Sequence, residues 1–293
     1  MPDSPVQSNQ QNNKYWVLVP AAGIGKRLGA KTPKQYLKLH NREVLAWTLQ
    51  MLGDLDFLEK IVLVLHPDDH YFSANLAAEF PDILLVNGGE ERQHSVAKGL
   101  EFLDSLANDN DWVLVHDAAR PCLMPEDVIK LVNSLVNDEV GGILASRVKD
   151  TLKRSEISLP AEDSFSLCTN AGAEGSFSLF ADAGAEGSLP AEGSLPAEGS
   201  LQAESSLKVA TTLNRNEHWL AATPQLFRFR VLQDALTKAQ KENFIVTDEA
   251  AAVEAMGLPV KIVEGRSDNI KITTSEDLAL AEFLLKQLGK VNA

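Results

Sequence analysis

The sequence predicts an α/β fold built on a doubly wound, mostly parallel sheet. Short runs rich in Val, Ile and Leu alternate with segments of helical periodicity. The runs are continuously apolar, as strands buried on both faces are. The first run ends in a loop of very small residues, at the sheet edge where open α/β proteins bind ligands.

In chain order, residues 1–13 are polar and read as a disordered N-terminal arm, not a secretory signal. Strands are expected at 16–20, 61–65, 83–86 and 112–116. Helical patterns lie between them at 43–52, 69–79 and 91–106. In the third, Val96, Leu100 and Leu103 recur at the 3.6-residue period and present one face to the sheet. Pro125, followed by Glu126 and Asp127, opens another helix, with proline in the first turn and acids at the positive end of the dipole. Regular structure resumes at Lys208: helices at 229–241 and 248–256, then strands at 260–263 and 270–273. A final helix is expected over 275–288, where Thr274 and Asp277 have the spacing of a capping box.

The chain has 293 residues, 44% of them apolar, which suits a globular body with a sizeable core. Its net charge of −14 is unevenly spread. Between Ser155 and Leu207 lie nine carboxylates and no Lys or Arg; without them 32 acids face 27 bases, a net of −5. So mildly acidic a body argues against nucleic acid as a partner, because phosphate backbones need a basic face. No segment approaches the roughly 20 apolar residues of a membrane span, so no membrane is expected. Two cysteines, Cys122 and Cys168, suit a reducing compartment, and the expected location is cytoplasmic. The acidic stretch repeats a six-residue unit close to Ser-Leu-Pro-Ala-Glu-Gly. Its apolar positions are too few to offset the entropy of ordering. Residues 156–206 are therefore expected to be a low-complexity, largely disordered insertion in a single domain spanning 14–293; an ordered interaction module is the alternative.

The segment from Pro20 to Tyr36, P-A-A-G-I-G-K-R-L-G-A-K-T-P-K-Q-Y, carries most of the chemistry. Ala21, Ala22, Gly23 and Gly25 let backbone N–H groups approach an anion closely. Lys26, Arg27, Lys31 and Lys34 place four cations within nine residues, close to the complement of a nucleoside triphosphate. The segment has neither the P-loop pattern nor the glycine spacing of a dinucleotide fold. With four cations at a strand end the segment is expected to bind phosphate; a glycine-rich turn beside a solvated basic face is the structural alternative.

P-A-A-G-x-G-x-R followed by P-K-Q-Y resembles the signature of the 2-C-methyl-D-erythritol 4-phosphate cytidylyltransferase family. Further blocks match in order: N-G-G-E-E-R-Q-H-S at 87–95, V-H-D-A-A-R-P at 115–121, A-T-P-Q at 222–225, T-D-E-A at 247–250 and E-G-R-S-D-N-I-K at 264–271. The resemblance runs from Tyr15 to about Leu288 outside the insertion. It implies a Rossmann-like sheet of nucleotidyltransferase type with a protruding β-arm, the insertion lying at the arm's tip. It also implies transfer of CMP from CTP to the polyol phosphate, with pyrophosphate released.

Carried over residue by residue, the resemblance makes Arg27, Lys34 and Lys271 catalytic. It assigns CTP to Pro20, Ala21, Ala22, Gly23, Gly25, Gly89, Glu90, Ser95, Asp117 and Ala118. The second substrate falls to Asp117, Arg120, Thr151, Arg215, Thr223, Thr247 and Lys271. Thr151 and Arg215 belong to the arm that reaches a partner's site, which implies a homodimer. Asp117, at a strand end with hard oxygen ligands, is the candidate for Mg2+ or another divalent cation, and Asp268 is a weaker one. Helix N-capping is the structural alternative for Asp117 and Thr247; His116 is expected to be structural. Two rival functions remain at this level: a cytidylyltransferase for another polyol phosphate such as ribitol 5-phosphate, and a non-catalytic nucleotide-binding or scaffold protein.

Overall fold

The computed structural model describes residues 13–23, 32–158, 206–244 and 246–291. Gly25, Arg27 and the other loop cations Lys26 and Lys31 lie outside the described residues, as do most of the N-terminal arm and 159–205 of the insertion. The first apolar run is β1 (Tyr15–Pro20). Its side chains divide with the period of two that a strand imposes: Tyr15, Val17 and Val19 enter one core, Trp16 and Leu18 another. A small ribbon, β2 (Lys38–Leu39) and β3 (Arg42–Glu43), leads into α1 (Val44–Gly53). Strands and helices then alternate through β4 (Leu58–Leu65), α2 (Ala74–Glu79), β5 (Leu84–Asn87), α3 (Arg92–Leu103), β6 (Trp112–Val115) and α4 (Pro125–Leu135). After β7 (Gly141–Arg147) come β8 (Leu152–Ser158) and β9 (Ser206–Leu213), paired only with each other. The chain closes with β10 (Trp219–Arg228), α5 (Phe229–Lys241), α6 (Glu249–Glu254), β11 (Lys261–Glu264) and α7 (Ser275–Gln287).

The main sheet has the order β11-β7-β10-β6-β1-β4-β5. Every neighbouring pair is parallel except those of β10, which runs against both β6 and β7. The mostly parallel, doubly wound sheet is therefore present. Leu45 and Leu49 of α1 and Leu131 of α4 fill one face. Val96 and Leu100 of α3, Leu232 of α5 and Val253 of α6 fill the other. A third cluster seats α7 through Ala281 and Leu285 on Leu39, Cys122 and Ile272. The chain leaves β1 toward β4 on one side and places β6 on the other, so a crevice opens at the C-terminal end of β1.

Several expected elements differ. Residues 69–72 do not join α2: Asp69 Oδ1 accepts from the N–H groups of Tyr71 and Phe72, and the helix starts only after Ser73, whose Oγ accepts from Leu76. Residues 270–273 form no strand; Ile272 N donates to Ala119 O at 2.9 Å in isolation. The apolar runs of the sequence predict neither β7 nor β10. The first opens on two glycines, and the second carries Thr-Pro-Gln in its middle. The insertion's edges also move: Glu156 pairs with Lys208 and Ser158 with Ser206, so 156–158 and 206 belong to a ribbon. The residues group into two compact units, one running to Lys149 and resuming at Arg215, the other spanning 150–214. Among the described residues no helix is long and apolar enough to cross a membrane.

Candidate active site

Beyond Pro20 the chain leaves β1 and is held by Ala21 N donating to Val64 O at 2.8 Å. Gln35, buried on a 3₁₀ turn at Lys34–Tyr36, donates its amide to Ala21 O at 2.6 Å and Gly23 O at 3.2 Å. The start of the small-residue loop is thereby tied to the turn that carries Lys34. Opposite, Gly88 follows β5, and any Cβ there would stand 2.7 Å from Ala22 Cβ and 2.9 Å from Ser95 Oγ. Only glycine lets these backbones approach so closely. Ser95 Oγ accepts from Gly89 N and donates to Glu91 O, both at 3.1 Å, so it holds the turn in place.

These segments enclose a cavity of about 370 Å³ lined by Pro20, Ala21, Ala22, Gly23, Lys34, Gln35, Arg92, Ser95, Asp117, Ala118, Ala119, Lys271 and Thr273. Nine of the residues named from the sequence meet there: Pro20, Ala21, Ala22, Gly23, Lys34, Ser95, Asp117, Ala118 and Lys271. Lys34 Nζ donates to Ile272 O at 3.0 Å, which joins the loop side to the Lys271 side.

Asp117 is the electrostatic centre. Its carboxylate receives Lys271 Nζ at 2.8 Å, Arg92 Nε at 3.0 Å and Arg120 Nε at 3.4 Å. Burial alone would raise its pKa, but Arg92, Lys271 and Arg120 together hold the carboxyl well below the usual carboxylate range. Arg92 in turn makes two bonds to Glu249, at 2.7 and 2.9 Å. Burial opposes the Arg92 charge, yet Glu249 and Asp117 favour it more strongly and raise its pKa. Of the charged side chains that line the cavity, Lys34, Arg92 and Lys271 face the single carboxylate of Asp117, a net charge of about +2. Such a site attracts anions.

His116 has no free ring nitrogen. Thr223 Oγ1 accepts the Asp117 N–H at 3.0 Å; because Arg120 O can only accept, the neutral ring keeps its hydrogen on Nε2, and Nδ1 accepts the Thr223 hydroxyl hydrogen at 3.1 Å. The Nε2 hydrogen goes to Arg120 O at 3.3 Å. Burial pushes the imidazole pKa down to about 4, and the ring is a neutral brace for the Asp117–Arg120 turn. Thr223 thus acts from behind Asp117 and does not line the cavity. Arg120 sits there too, with Nη1 on Asn269 O at 2.7 Å.

Other named residues lie elsewhere. Glu90 and Thr247 are exposed and outside the cavity lining, and Gly89 touches it only through Ser95. Thr247 is not the cap of α6; Asp248 is, its Oδ1 accepting from Ala251 N. Asp268 is paired with Arg266 and absent from the cavity. Thr151 precedes β8 in the smaller unit, and Arg215 opens a 3₁₀ turn in the main unit, donating to Lys149 O. Gln35, Arg92 and Glu249 went unnamed. Each stands inside a quoted block, but each works through a tertiary partner that spacing does not reveal.

A family model described as IspD, 2-C-methyl-D-erythritol 4-phosphate cytidylyltransferase, matches residues 15–164 and 183–287. The chain belongs to this cytidylyltransferase family. The match extends further into the insertion than the sequence blocks do, leaving out only 165–182 between its two parts. A 2-C-methyl-D-erythritol 4-phosphate cytidylyltransferase of Hahella chejuensis is 38% identical over 280 residues, 96% of each chain. Another, of Pseudoalteromonas translucida, is 38% identical over 98% of each. The crystal structure of the Francisella tularensis cytidylyltransferase superposes with a TM-score of 0.65 at 31% identity, covering 93% of this chain and all of that one. Membership makes the chain a nucleotidyltransferase of the non-mevalonate route to isoprenoid precursors.

Proposed function

We propose that this chain transfers CMP from CTP to 2-C-methyl-D-erythritol 4-phosphate, giving 4-diphosphocytidyl-2-C-methyl-D-erythritol and pyrophosphate. The observation that carries the reading is the convergence of the Ala21–Gly23 loop, Lys34, Asp117 and Lys271 on one cavity, in a chain of this family. An oxygen of the polyol phosphate attacks the α-phosphorus of CTP; a new P–O bond forms as the bond to the β-phosphate oxygen breaks. The nucleophile is already an anion, so no general base is needed, which fits a site whose His116 and Ser95 are both committed to structural bonds. The barrier is largely repulsion between two anions, and preorganised cations lower it. Lys34 and the loop N–H groups take the triphosphate; Lys271 lies where the attacking phosphate and the α-phosphate approach each other. Arg27 shares the triphosphate in this reading.

Among the described residues there is no cluster of three His, Cys, Asp or Glu side chains for a resident metal. Asp117 is the one carboxylate lining the cavity, and with Arg92, Lys271 and Arg120 on its oxygens it would hold a divalent cation such as Mg2+ only by giving up one of them, the remaining ligands coming from phosphate oxygens and water. Bound there, the ion would supply charge neutralisation at the triphosphate. Thr151 and Arg215 serve the acceptor phosphate in a homodimer, and the use of CTP makes the cytoplasm the working location. Pyrophosphate release from CTP with a panel of polyol phosphates tests the reading. Methylerythritol phosphate as the preferred acceptor is expected; preference for ribitol 5-phosphate, or no release with any acceptor, would overturn it.

A further inference from the structure

Glu249 is almost completely buried, with 2% of its side chain exposed, yet it lies outside the cavity. Its place is fixed from both sides. Gln225 on β10 donates its amide to Asp248 Oδ2 and accepts from Ala250 N, each at 2.9 Å, so both neighbours of Glu249 hang on one side chain of the sheet. From there its two oxygens take both terminal nitrogens of Arg92, a fork-to-fork pair in which both partners are planar. Nε of Arg92 meets Asp117 Oδ1, so three of the five guanidinium hydrogens are committed to the two carboxylates. Arg92 lines the cavity and, released from Glu249, would be free to turn its guanidinium toward phosphates as a further side-chain cation.

Building on the transfer proposed above, we propose that Glu249 is a positioning residue: through Arg92 it fixes the Asp117 carboxylate and holds the Arg92 charge on the two carboxylates, leaving the phosphates to Lys34, Lys271 and Arg27. An arginine that grips the triphosphate equally before and during reaction strengthens ground-state binding without speeding the chemistry. A released Arg92 also leaves Asp117 without one of its three anchors.

Two readouts should therefore move in opposite directions. In E249Q, which keeps the size but loses the charge and one of the two acceptors facing Arg92, CTP is expected to bind several-fold more tightly by calorimetry while kcat falls at least tenfold. A merely structural role would lower the melting temperature and the active fraction but leave both constants per folded molecule unchanged. In R92Q/E249Q, which buries no unpaired charge and serves if E249Q fails to fold, kcat should equal that of R92Q. An E249Q enzyme with kcat within twofold of wild type, or a double variant slower than R92Q by the full E249Q factor, would overturn the proposal. The wild-type chain run alongside separates the two claims: no pyrophosphate from it counts against the activity, whereas turnover by it beside an unaltered E249Q counts only against the positioning role.

Discussion

Lys34 reaches the cavity because Gln35 locks its turn to the carbonyls of Ala21 and Gly23. Truncating it removes a cation without disturbing that lock. Lys34→Ala is expected to lower kcat by about 10²–10³, the loss of one preorganised charge contact, with circular dichroism and folding stability preserved. Activity within a few-fold of wild type would remove Lys34 from the chemistry. Thr223 gives the opposite pattern at the same scale. Thr223→Val strips the acceptor from the buried Asp117 N–H and the donor from His116, so a stability loss of about 1–3 kcal/mol is expected in urea denaturation. Asp117 after β6, Ser95 in the first turn of α3 and Lys271 in the loop before α7 each stand inside a block that the sequence singles out, and all three line the cavity. Arg92 and Glu249 are not legible there, since 157 positions separate them and nothing local reports their pairing.

At the scale of elements, the cap of α7 is readable in the sequence, whereas the cap of α6, which falls on Asp248 beside Thr247, and the reversed strand are not. The Thr274–Asp277 spacing announced a capping box, and both reciprocal bonds are present at the start of α7. Thr274→Ala should cost about 1 kcal/mol, checked by chemical denaturation. β10 escaped notice because a strand that pairs antiparallel on both sides and shifts register between Ala222 and Gln225 keeps no clean alternation. Its neighbour β7 is started by Asp138, whose Oδ1 accepts from Val140 N and Gly141 N while Oδ2 pairs with Lys261. Burial pulls the Asp138 pKa upward, but Lys261 and the two N–H groups hold it below its ordinary 3.8. A depressed carboxyl contributes stability that is fully present above 3.8 and is lost as pH falls through the lower folded value. The stability advantage of wild type over D138N should therefore shrink as pH drops below about 4. A constant difference across that window would contradict the assignment.

For the whole molecule, the alternation of apolar runs and helices revealed the sheet class, because burial on both faces leaves its mark on every central strand. The insertion's composition located a break in the fold, but the pairing of Ser158 with Ser206 shows how close the flanking strands come. That register suits a two-residue turn. Replacing 159–205 with Asn-Gly is expected to keep kcat/KM within about threefold, since closing a longer loop adds little to stability. A folded but inactive product would assign the repeat a role in catalysis. The central claim concerns where the triphosphate goes. Crystals soaked with CTP and magnesium should show it against Ala21, Ala22 and Gly23, with Lys34 on its oxygens and Asp117 beside the α-phosphate. Nucleotide bound at another surface, with the crevice beyond β1 left vacant, would contradict the account.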